Sequence, residues 1–281
     1  MTALAVAAPA RTGRRFRPGV WGAALFLALV ALAAVAPGLL VHGGPGDANA
    51  LDALTGPSAA HPFGTDANGR DVLTRVVYGA RPSLLAGLGA TGLGVAAGSL
   101  LGLLAALGGR AADEIVMRFM DVVLSLPTLL LALLVLTITG PGTLNSIYAI
   151  ALYTAPSYAR LVRVQAMVIG RSGFVEAATS LGLTRARVVA RHLLPNAFAP
   201  LFVLATMEVG LAIVAASSLS FLGLGPRPPA PEWGAMLSAG RDYFSVAWWT
   251  AVFPGLAITL TVLSVTVAGR RLQLRSEGRS A

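Results

Sequence analysis

The 281 residues are 56% hydrophobic and 12% charged, with a mean hydropathy of +0.74, far more apolar than a water-soluble domain of this length. All 21 basic residues are arginine, which excludes a P-loop lysine, a Schiff-base lysine and any ATPase activity resting on G-x-x-x-x-G-K. With no cysteine and only His42, His61 and His192, scattered along the chain, neither a disulfide framework nor a thiolate or histidine-cluster metal site is available. The net charge of +9 sits in arginines between apolar runs, so membrane orientation explains it better than nucleic acid does.

Taken in chain order, Arg11, Arg14, Arg15 and Arg17 precede an apolar run from Val20 to Ala36. Basic residues, an apolar run and Ala34-Val35-Ala36 also fit a signal peptide, but with Pro37 to Val41 the stretch reaches the roughly 20 residues of a membrane span. The expectation is a 1–18 tail, a first transmembrane helix over 19–41 and an extracytoplasmic loop over 42–81. That loop ends in HPFGTDANGRDVLTR, residues 61–75, which reads as a turn at Asn68-Gly69 and a short helix in which Asp71 pairs with Arg75 at i, i+4.

A second span is expected over Ser83–Leu107. Its Gly87-x-Gly89-x-x-Gly92 matches the dinucleotide fingerprint only as a string, since no strand precedes it; Gly94, Gly98 and Gly102 instead make a smooth helix face for a close neighbour. A charged loop over Arg110–Arg118 leads to a third span, Val116–Thr139, kinked at Pro127. The fourth span, Leu144–Ser157, runs into Arg160 and Arg163, read as snorkelling to headgroups.

The polar stretch from Gly173 to Asn196 is the most informative part of the chain. Phe174, Ala177, Ala178 and Leu181 recur at helical spacing, and Gly182 suits a left-handed stop. Thr184 can cap a second helix with Ala186, Val189, Ala190 and Leu193 on its apolar side, ended by Pro195. Two amphipathic helices hinged at a glycine suit a groove; an amphipathic helix resting on lipid headgroups is the other reading.

A fifth span covers Asn196–Leu224 and contains Glu208. A carboxylate at membrane depth is costly, so it either lines a water-filled route or pairs with a polar neighbour. The prolines after Gly225 break the chain before Pro231-Glu232-Trp233-Gly234 starts a short amphipathic piece. Trp233, Trp248 and Trp249 suit an interface belt. The sixth span is Ala247–Ala268, and Arg270, Arg271, Arg275 and Arg279 close a 270–281 tail. With both termini and the 173–196 loop inside, sixteen arginines lie on the inner side and five on the outer, which places that loop in the cytoplasm by the positive-inside rule.

Glu176-Ala177-Ala178, then Gly182, then His192-x-x-Pro195-Asn196 resembles the EAA loop of the membrane subunits of binding-protein-dependent ABC importers. HPFGTDxxGRD with Tyr78-Gly79-Ala80-Arg81, then SFLGLG, PEWGAML and FPGLA, resembles the C-type subunit of the dipeptide, oligopeptide and nickel branch of these permeases, from His61 to about Ala268. The resemblance implies an all-α integral membrane protein with six transmembrane helices, the type I ABC importer permease fold, its permease domain over 82–269. It implies a heterodimer with a second permease subunit, two ATPase subunits or domains that use ATP and Mg, an extracytoplasmic substrate-binding protein, and location in the bacterial cytoplasmic (inner) membrane with cytoplasmic termini.

The chain itself would bind no cofactor, contact no nucleic acid and catalyse no reaction. Glu176, Ala177, Ala178, Gly182, Arg185, His192, Pro195 and Asn196 would shape the helix that docks on the ATPase, with Glu208 as the pathway candidate. The cargo would be a peptide or nickel. Two departures stand out: Ala268 to Arg275 replaces the usual Gly-Asp-x-Leu-Arg-Asp string, and Ala216 replaces a common glutamate. A secondary transporter or channel is the alternative, although only Glu208 and Asp121 offer ionisable groups for coupling. An intramembrane enzyme lacks H-E-x-x-H, G-x-S-x-G or a histidine at membrane depth.

Overall fold

A computed structural model describes residues 18–173, 175, 180–189, 191, 194–227 and 229–276. The described chain is built from helices: α1 (Pro18–Val35), α2 (Val72–Leu107), α3 (Gly109–Ser125), α4 (Thr128–Thr139), α5 (Thr143–Gly170), α6 (Leu194–Phe221), α7 (Trp233–Arg241) and α8 (Trp249–Ser276). Three stretches are long and apolar enough to cross a membrane unaided, Val72–Leu107, Pro200–Phe221 and Trp249–Leu274, and α3 with α4 makes a fourth if the pair is one broken span. The remaining two of the six expected spans fall short for local reasons. The apolar part of α1, Gly19–Val35, is below the usual span length, and α5 carries Asn145, Ser146, Thr154, Ser157, Arg160 and Arg163 along its length.

The pairing of α2 with α5 is the spine of the fold, and the glycine row explains it. A Cβ added at Gly94 would lie 2.5 Å from Thr154 Oγ1, and one at Gly98 would lie 2.5 Å from the Ala155 carbonyl oxygen; Gly102 meets the Ala159 carbonyl in the same way. Backbone therefore rests on backbone, as small residues permit inside a bilayer. Gly87 faces Ile213 of α6, so its G-x-G-x-x-G string is a stretch of continuous packed helix, as expected. Beside this seam Ala86, Ala90, Leu136, Ile150, Ala212, Ala216 and Leu219 join α2, α4, α5 and α6 in one core. Ala216 sits inside it, where a glutamate would lack water.

Several boundaries differ from expectation. Helix α2 starts eleven residues before Ser83, because the Asp71 carboxylate caps it by accepting from the Thr74 N–H at 2.7 Å; Pro82 lies within the helix. Helix α5 runs unbroken through Pro156 to Gly170. The third expected span is not a kinked rod: α3 and α4 meet at 97° across Leu126-Pro127, since Pro127 removes a backbone donor and drives its predecessor to extended geometry. Leu126 adopts φ −89°, ψ 136°.

The end that holds Trp233 and Trp249 is a knot of aromatic and capping contacts. Phe63 stacks on Phe253 with ring centroids 3.9 Å apart. Trp249 donates to the Thr65 carbonyl at 3.0 Å and Trp233 to the Val76 carbonyl at 2.8 Å. Both indoles are buried, Trp233 to 1% exposure, so of the three tryptophans expected at the interface only Trp248 stays exposed. Their N–H groups find carbonyls in the fold and have no need of a wet boundary. Glu232 caps α7, accepting from Gly234 and Ala235 at 2.9 Å each, and Ser83 reaches it at 3.3 Å.

The expected Asp71–Arg75 pair does not form. Asp71, occupied as a cap, meets His61 Nδ1 at 3.1 Å, while Arg75 turns to Asp66 at 3.5 Å and donates to the Pro45 carbonyl at 2.9 Å. The turn at Gly69 is as expected, with φ +70° and the Asn49 carbonyl packed where a side chain would be.

Candidate functional site

The candidate site is the connection between α5 and α6, residues 171–193. Ser172 accepts the Val175 N–H at its carbonyl oxygen at 3.0 Å. Val175, Leu183 and Val188 then pack with Ala166 and Ile169 of α5 and with Leu103 and Ala106 at the end of α2. The connection is thus seated on the ends of the two helices that form the spine. Gly182 has φ +86°, the left-handed geometry expected of a helix stop, and among the described residues no neighbour lies within 4 Å of where a Cβ would be. The constraint there is conformational and leaves the surface open.

Beside the glycine, Leu181 is 82% exposed. It belongs to the apolar stripe expected of the first helix, so at this position the stripe turns away from the chain's own core. Among the described residues the second expected helix includes the α-helical turn Arg185–Val188, with the Val188 N–H bonded to the Thr184 carbonyl at 3.0 Å, and Val189 and Arg191 follow in π-helical geometry. Pro195 lies at the second position of α6 and is exposed, where a missing donor costs nothing; the end of the second helix before it falls on residues outside the described ones. Asn196 follows in the same first turn. Glu176, Ala177, Ala178 and His192 lie outside the described residues, and of Arg185 only the backbone is described.

Glu208 is half-buried in the middle of α6. Leu201, Leu204 and Ala205 pack against Tyr158 and Val162 one or two turns before it. Ala212 and Ala216 join the Ala149 and Ile150 core one and two turns after it. Tyr153 and Tyr158 stand on the facing helix α5, and the buried Tyr158 hydroxyl has no hydrogen-bond partner among the described residues. The tyrosines are a feature that spacing alone does not reveal, because they stand some 50 residues earlier on another helix.

The arginines that precede the loop do not snorkel. Arg163 grips Asp113 of α3 with two guanidinium donors, Nε to Oδ1 and Nη2 to Oδ2, the latter at 2.6 Å. Arg160 donates to Asp121, also of α3, at 2.6 Å. Carboxylates within reach on α3 offer a planar, two-pronged partner that a headgroup would otherwise supply.

Comparison with known proteins gives consistent matches. Residues 98–279 match the family described as binding-protein-dependent transport system inner membrane component. The chain is 41% identical over 252 residues to the dipeptide transport system permease protein DppC of Alkalihalophilus pseudofirmus, covering 90% of this chain and 83% of that one. It is 44% identical over 220 residues to the di/tripeptide transport system permease protein DppC of Pseudomonas aeruginosa, covering 78% and 73%. In fold it resembles the inward-facing MetNI methionine ABC transporter, with a TM-score of 0.58, 21% identity, and coverage of 73% of this chain and 96% of that one.

Proposed function

The chain belongs to the family of binding-protein-dependent transport system inner membrane components, and from that premise we propose that it forms one half of the translocation pathway of an ATP-driven importer of small peptides. It is a non-catalytic, multi-pass membrane subunit of an ABC transporter. Peptide cargo is favoured over nickel because the relatives described above carry dipeptides or di/tripeptides. The partners are a second permease subunit, two ATPase subunits that use ATP and Mg, and an extracytoplasmic binding protein.

The observation that carries the mechanism is the seated, glycine-hinged connection between α5 and α6 with exposed Leu181 beside it. Residues 173–196 dock in a cleft of the ATPase on the cytoplasmic side, where sixteen of the 21 arginines fall. Closure of the ATPases displaces the docked loop. Since the loop rests on the ends of α2 and α5, the glycine-packed spine tilts as a unit and the pathway opens alternately outward and inward. Glu176, Ala177, Ala178, Gly182, Arg185, His192, Pro195 and Asn196 shape this contact mechanically.

Glu208 lines the pathway at mid-depth, where a carboxylate is tolerated only beside water or a polar partner. Reconstitution with candidate ATPase, permease and binding-protein partners tests the reading. ATP-dependent uptake of labelled di- and tripeptides is expected, with uptake reduced in Glu208→Ala. Uptake that ignores ATP would instead make this a secondary transporter.

A further inference from the structure

Helix α3 is fastened to α5 in a way that bears on how motion leaves the loop. Its apolar side, Val116 and Met120, packs with Ala105 of α2 and Ala159 of α5. The Arg163–Asp113 grip lies at the N-terminal end of that seam and the Arg160–Asp121 pair at the other. The first pair is about three-quarters shielded, with side-chain exposures of 27% and 29%; the second is open, at 49% and 55%. Within the two turns after Arg163, Ala166 and Ile169 carry contacts that seat the described part of the 171–193 connection. At its far end α3 meets α4 at 97°, and α4 supplies Leu131, Ala132 and Leu136 to the buried interior.

The geometry points to Arg163 and Asp113 as positioning residues for coupling: they lock α3 to the loop-bearing end of α5, so that displacement of the loop is delivered to α4 across the Pro127 elbow. This inference rests on the proposed docking of residues 173–196. The apolar seam rests on two alanines, Ala105 and Ala159, whose small side chains resist displacement of α3 along its axis less than a seam of interdigitating large residues would. A two-pronged guanidinium–carboxylate grip fixes register and rotation together. The exposed Arg160–Asp121 pair contributes little by comparison. Such an arrangement predicts that α3 and the end of α5 stay joined through the whole transport cycle while the elbow bends.

The chain has no cysteine, so the joint can be replaced by a covalent one in the assembled transporter. An arginine–carboxylate pair spans more than a disulfide allows, which calls for a short bifunctional methanethiosulfonate bridge across Asp113→Cys/Arg163→Cys. Unbridged, the double variant is expected to hydrolyse ATP while peptide uptake per ATP falls at least fivefold; bridging restores the ratio and reductant abolishes it again. Restoration in the same sample shows that the variant is folded. The charge exchange Asp113→Arg/Arg163→Asp recovers at least half of the wild-type ratio where each single reversal does not.

Wild-type coupling in the unbridged variant, or bridging that fails to restore it, overturns the inference. A Leu181→Cys crosslink to the ATPase, run in the same membranes, separates the two levels: if it forms and the bridge has no effect, only the α3 joint is refuted, and if it fails to form, the docking reading falls as well.

Discussion

The two ends of the molecule are held together by different physics. At the Trp233 and Trp249 end, rings stack, indoles donate to backbone carbonyls and a buried glutamate caps a helix. At the Arg163 and Gly182 end, partly exposed ion pairs and a left-handed glycine carry the structure, with leucine facing outward. Buried aromatic contacts lose several kcal/mol when disturbed, whereas exposed ion pairs lose roughly 1 kcal/mol or less. One end is thus built to keep its shape; at the other the Gly182 loop is open to a partner while the more shielded Arg163–Asp113 grip holds its helices together.

Substitutions sharpen that contrast when ordered by size. Trp233→Ala removes an indole with 1% exposure and its bond to Val76, and should cost about 3–5 kcal/mol; thermal unfolding of detergent-purified protein should show the largest drop. Gly98→Leu drives a side chain into the α5 backbone and should cost about 1–3 kcal/mol or more, read as loss of the monodisperse peak in gel filtration. A mild effect of either would mean that the fixed end is softer than its contacts imply.

Gly182→Arg forces a side chain into φ +86°, worth roughly 1–2 kcal/mol locally. Here insertion and thermal stability should survive while peptide uptake per ATP collapses, and normal uptake would break the distinction between the two ends. Arg160→Ala, at the exposed pair, should change stability by less than about 1 kcal/mol and leave the uptake ratio within twofold of wild type.

How much of this was written locally in the sequence depends on how far apart the partners are. The Gly94, Gly98 and Gly102 face was legible because small residues four apart state a packing face within a single helix. Gly182 was legible because its conformation is a property of one residue. By contrast, HPFGTD, PEWG and FPG appeared as separate motifs, while the structure joins them: Ser83 to Glu232 spans 149 residues and Thr65 to Trp249 spans 184.

The same distance hid the fate of the charges. Arg160 and Arg163 look free to snorkel until α3, 39 and 50 residues away, brings Asp121 and Asp113 alongside. Asp71 and Arg75 satisfied the helix spacing rule, but a capping requirement at the start of α2 took Asp71 first. The elbow at Pro127 was legible as a disturbance and not in its size, because only the packing of α3 on α2 and α5 decides how far the chain turns.

The central claim is that the glycine-hinged connection docks on an ATPase, and Leu181, exposed beside the hinge, tests it most directly. With Leu181→Cys in this otherwise cysteine-free chain and a single cysteine in the cleft of the partner ATPase, oxidation in native membranes should yield a crosslinked pair whose amount changes on adding ATP. No crosslink in either nucleotide state, with both proteins inserted and assembled, would contradict the account and return residues 173–196 to a helix resting on the lipid surface.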